Sequence, residues 1–201
     1  LDANQAVGAI IRGSSRQVGN EIDEFVTDVL RNRLVGLPLD LPAINMARGR
    51  SEGIPSLNAA RRQFHAASGH PELAPYESWA DLSFNLKHAG SLFNLVAAYG
   101  SHPLITSLDP DGPGGEGPGS LEGRRIAADI LLTEDPWAGP DGTLGDPDSD
   151  APDTSLDDVA APTDSLDFML GQGTWADGPG GVTTTGVDDI DYWLGGLAEK
   201  Q

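Results

Sequence analysis

The chain has 201 residues, among them 26 glycines, 15 prolines and no cysteine, with a net charge of −19. That length suffices for one domain with a real core. The missing cysteines exclude disulfides and thiolate metal sites, and no apolar run approaches the ~20 residues that a membrane span needs.

The acidity is placed unevenly. Residues 1–103 hold nine Lys/Arg against ten Asp/Glu, and residues 104–201 hold three against twenty-one. The second part would repel phosphates, which argues against nucleic acid and against an anionic membrane surface as its partner. No signal peptide is visible, and both ends read as cuts through a longer protein.

Residues 3–18 predict a helix with Ala6, Val7, Ile10 and Ile11 on one face. Asn20 and Asp23 look like caps of a second, whose stripe is Ile22, Phe25, Val26, Val29 and Leu30, with Gly36 as its stop. Asp40 caps a third helix that carries Pro42 in its first turn and runs to about Arg50. Ser56 opens a fourth, from Leu57 to about Ala67, ended by Gly69. Residues 77–85 and 91–99 predict two more. With little period-2 alternation anywhere, the fold class expected is all-α with long Gly/Pro/Asp-rich loops.

The character changes near Pro103. Residues 109–119 and 136–163 are rich in Gly, Pro and Asp and predict loop or disorder. Leu121 to Thr133 returns to helical pattern, order resumes near Leu166, and Asp188 to Leu194 predicts a short helix. The expected organisation is a helical part over 1–103, an acidic insertion with one short helix over 104–186, and a return to the first part over 187–201.

Two blocks carry a recognisable pattern. LDLPAINMARGRSEGIPSLNAARRQF at 39–64 resembles the animal haem peroxidase family, where a helix reads Leu-Asn-x-x-Arg-x-Arg and leads to Gly-Ile-Pro and Asn-x-x-Arg. DDIDYWLGGLAEK at 188–200 is similar to that family's Asp-Ile-Asp-x-Trp-x-Gly-Gly-x-x-Glu segment, and the blocks stand in the family's order. Ser51 and Glu52 depart from the usual Asp-His, and Leu57 from the usual Tyr. More than 80 residues separate the blocks where the family has few, an insertion similar to those of large bacterial secreted members.

The resemblance implies a haem cofactor, hydrogen peroxide, a halide or small organic electron donor, and a secreted or extracellular location. The iron ligand and the distal His and Arg that split peroxide lie upstream of the Asn-x-x-Arg-x-Arg helix in this family. No catalytic residue is therefore expected in this chain, and the fragment alone is expected to be inactive. His65, His70, His88 and His102 sit in no matching motif and read as surface or partly buried residues. By resemblance, Asn45 accepts a hydrogen bond from the proximal imidazole and Arg48 pairs with a haem propionate. Arg50, Arg61 and Arg62 read as structural, tying the helix to its neighbours through Glu52 or Asp40. Tyr192 and Trp193 read as core anchors, and Asp188, Asp189 and Asp191 as charge at a helix N-terminus.

Asp146, Asp148, Asp150 and Asp157 occupy positions 1, 3, 5 and 12 of an EF-hand-like loop, a weak calcium candidate. Ala151 stands where Gly is needed and Pro152 follows, so a solvated acidic linker is the stronger reading. The alternative function class is a non-catalytic helical binding or structural module with an acidic, Ca²⁺-responsive insertion.

Overall fold

The computed structural model describes residues 3–16, 23–106, 121–133, 162–178 and 180–200. The fold is all-α, as expected, and the described residues contain no strand. In chain order the helices are α1 Ala3–Arg16, α2 Asp28–Asn32, α3 Leu41–Ser51, α4 Leu57–Ser68, α5 Trp79–Phe84, α6 Ala89–Tyr99, α7 Pro103–Thr106, α8 Leu121–Thr133, α9 Ser165–Leu170 and α10 Tyr192–Ala198.

The local signals explain most of these limits. Asp40 accepts from Ala43 N–H at 3.0 Å and Ser56 from Ala59 N–H at 3.3 Å, so α3 and α4 start where their caps satisfy an orphan donor. Gly69 closes α4 in the left-handed region, at φ 69°. Ser78, whose hydroxyl accepts from Asp81 N–H at 3.0 Å, starts α5.

The second helix is shorter than its stripe predicts. Asp23 accepts from Phe25 N–H at 2.9 Å and holds a local turn, and residues 23–27 are not helical. Val29 and Leu30 are exposed, so this end of the stripe gains little packing to offset the cost of helix nucleation. Asn20 and Ile22 lie outside the described residues.

Trp79, Leu82, Val96, Ile105, Ile130, Leu131, Phe168, Val187 and Ile190 are the centre of the core, each at most 1% exposed. Burying a side chain of this size contributes about 1.5–3 kcal/mol. Among its described residues, the stretch expected as an insertion supplies α8, α9 and most of α7, and all three enter this core. α8 packs on α6, where Arg124 donates to the Ala97 and Ala98 carbonyls at 2.7 and 3.0 Å near the end of that helix. Residues 109–119, most of 136–163 and the four calcium-candidate aspartates lie outside the described residues.

The helix expected at 188–194 is divided. Val187–Asp189 forms a 3₁₀ turn and Ile190 is extended. Ile190 is fully buried and its carbonyl accepts from Leu57 N–H at 2.8 Å. α10 follows, with Gly195 and Ala198 buried.

Candidate functional site

α3 and the start of α10 face each other across a cavity of about 480 Å³. α3 has no fully buried residue; Leu41 and Ile44 are half-buried, and Asn45 and Arg48 are exposed. Asn45 and Arg48 both line the cavity. Among the described residues neither side chain has a hydrogen-bond or ion-pair partner. Met46, Ile54, Pro55, Tyr192 and Trp193 make much of the remaining wall apolar.

Tyr192 and Trp193 are not core anchors: they are 41% and 40% exposed. The reason lies in the glycine of the next turn. An added Cβ at Gly195 would stand 2.6 Å from Leu57 Cδ2, so α10 approaches α4 through glycine and leaves its aromatic residues to the cavity wall.

The other three arginines of the first block are all engaged, with partners other than those expected. Arg50 donates to both Asp191 oxygens, Nε to Oδ1 at 2.8 Å and Nη2 to Oδ2 at 2.5 Å. Arg61 donates to Glu199 Oε1 at 2.8 Å and to the Ala74 and Glu72 carbonyls, and lies 4.2 Å from the centre of the Tyr76 ring. Arg62 pairs with Asp188 and reaches the Gly181 carbonyl. Their structural role is as expected, but the acids come from the second block rather than from Glu52 or Asp40.

Asp191 is the hub nearest the cavity. It also accepts from the Tyr99 hydroxyl at 2.7 Å. The hydrogen bond from Arg50, aided by that from Tyr99, holds the Asp191 carboxyl below its ordinary range. Burial and the bond to Asp191 push the Tyr99 phenol up to about 12. Asp191 flanks the start of α10, and Asp188, largely buried, accepts from Thr183 N–H at 2.5 Å. These acids therefore hold the segment in place rather than only complementing a helix dipole.

The histidines lie in different settings. His65 Nδ1 is 2.9 Å from the His70 carbonyl, and His70 is exposed. His88 is half-buried with its ring edge-on to Phe25. His102 differs from the surface or partly buried reading: it is 5% exposed and stacked on Trp175. Its Nδ1 accepts from Leu104 N–H at 3.1 Å, and its Nε2 stands 3.4 Å from Asp164, which also accepts from Trp175 Nε1 at 2.9 Å. Trp175 and Asp164 lie more than 60 positions away, so no local signal marks this burial. Among the described residues no group of three or more His, Asp or Glu could hold a metal ion.

Comparison with known proteins agrees with the first block. The profile of the animal haem peroxidase family matches residues 1–105. The chain is 36% identical to Peroxinectin A of Dictyostelium discoideum over 84 residues, which is 40% of this chain and 14% of that protein. It is 33% identical to Dual oxidase 1 of Caenorhabditis elegans over 125 residues, 58% of this chain and 8% of that protein. The chain thus spans a small part of the length of these relatives. No solved structure matches.

Proposed function

The chain belongs to the animal haem peroxidase family, and from that premise we propose that it builds the proximal wall of the haem site in a secreted peroxidase that uses hydrogen peroxide to oxidise halide or small organic donors. One observation carries the reading. Asn45 and Arg48 stand within one turn of each other on the open face of α3, both without a partner in the described residues, beside an apolar cavity.

Those two side chains fit haem and an iron-ligating imidazole chemically. Bound haem supplies the redox-active iron. Asn45 Oδ1 accepts the imidazole N–H, which orients the ring and keeps its proton shared, so that the opposite nitrogen is a stronger donor. The Arg48 guanidinium pairs with a carboxylate at the rim. Met46, Ile54 and Trp193 give that contact an apolar flank. The Arg50–Asp191 pair fixes α3 against α10 behind them.

The test uses the full-length protein. Asn45→Ala removes the acceptor, raises the Fe(III)/Fe(II) midpoint potential and lowers turnover by about 10–100-fold. Asn45→Asp pulls the proton harder and lowers the potential. Misfolding would move both variants alike. Unchanged potentials in two folded variants overturn the role given to Asn45.

A further inference from the structure

A second cavity, of about 390 Å³, lies between the beginning of α6, one face of α8 and the chain at Phe25. It shares no lining residue with the cavity beside Asn45. Its volume is in the range of small-molecule sites.

Phe25 and Phe93 give it two aromatic walls, and Ile126 beside them is 4% exposed. Gly90 lines it with no side chain, and a Cβ there would meet nothing within 4 Å. Asp129 supplies a carboxylate. That carboxylate is half-buried and has no hydrogen bond or ion pair among the described residues. Burial raises its pKa, and Arg125, one turn earlier, lines the same cavity.

A second acid stands beside the wall residue Phe25, outside the lining itself. Glu24, next to Phe25, accepts from the Ser91 hydroxyl with one oxygen, and its other oxygen is buried without a partner. An uncompensated carboxylate in a recess is stabilised by a cation that enters with it. Aromatic faces attract the same cation through their quadrupole.

We propose that this cavity binds a small organic ammonium ion carrying an aromatic ring, its N–H groups donated to Asp129 and its ring set against Phe25 and Phe93. The carboxylate selects the charge and the phenylalanines select the ring. Neither Asn45 nor Arg48 takes part, so this site stands apart from the haem reading.

The probe is 2-phenylethylammonium, titrated into the full-length protein and followed by calorimetry. Saturable one-to-one binding is expected. 2-Phenylethanol, with the ring but no charge, binds at least tenfold more weakly, and Asp129→Asn costs the ammonium at least tenfold. Gly90→Leu adds a side chain where space is open, keeps the helical circular dichroism and abolishes binding. Equal affinity for the alcohol, unchanged affinity in a folded Asp129→Asn or Gly90→Leu, or no saturable binding each overturns the proposal. Should Asp129→Asn fail to fold, Gly90→Leu and the alcohol decide.

Discussion

Arg50 and Asp191 are 141 positions apart and meet as a two-point ion pair, with Tyr99 donating to the same carboxylate. Asp191→Asn weakens the pair and disturbs the acceptor of Tyr99, which should cost about 1–3 kcal/mol near neutral pH. Because the Arg50 side chain is 63% exposed, the lower end of that range is expected.

The same residue predicts a pH dependence. Its folded carboxyl titrates below the ordinary value. The stabilisation is therefore present above the unfolded value, near pH 4, and disappears as pH falls through the lower folded one. Denaturant titrations of wild type and Asp191→Asn should differ at pH 6 and converge as the pH drops below about 4. A gap that stays constant with pH would contradict this.

Asn58 is 1% exposed and closes a pair with the backbone of Tyr76, donating to its carbonyl at 2.9 Å and accepting its N–H at 2.8 Å. Asn58→Ala leaves both backbone groups buried and unpaired. A loss of about 2–6 kcal/mol is expected, since each of the two orphans costs roughly 1–3. Asn58→Asp keeps the acceptor but not the donor and should fall between wild type and Ala in thermal unfolding.

The paired glycines of α10 should respond in opposite ways. At Gly195 a Cβ meets Leu57 Cδ2 at 2.6 Å and Ile190 Cγ2 at 3.0 Å. Gly195→Ala should therefore destabilise by about 1–3 kcal/mol as overpacking. At Gly196 nothing lies within 4 Å, so Gly196→Ala should gain up to about 1 kcal/mol in helix propensity. Equal melting shifts would mean that α10 does not sit against Leu57.

No histidine of this chain is proposed as an iron ligand. Haemin added to it should bind weakly, and His→Ala changes at 65, 70, 88 and 102 should leave the Soret band where it is. A band lost in one of those variants would show an unrecognised ligand.

The caps were legible because they are local: Asp40, Ser56 and Gly69 each act within four residues. The family pattern led to Asn45 and Arg48 and to both ends of the three arginine pairs, but not to the pairing itself. Charge partners 126 to 141 positions apart leave no trace in spacing. Residues 23–32 misled because periodicity records what a helix could bury, and here Val29 and Leu30 find nothing to cover them. Trp193 misled because a large aromatic residue suggests a core, whereas α10 meets the core through the small residues Gly195 and Ala198 and through Leu194.

The three arginine pairs also impose an order of assembly. During synthesis Arg62 emerges 126 residues before its partner Asp188. At ~5–20 residues per second that is a wait of about 6–25 s. Throughout it α3 and α4 carry three unmatched guanidinium groups and an open Leu57, a state suited to capture by a chaperone. For a flexible loop the closure cost grows only as the logarithm of its length, by about 0.6 kcal/mol per doubling. The 126-residue separation of Arg62 from Asp188 is therefore felt chiefly as delay.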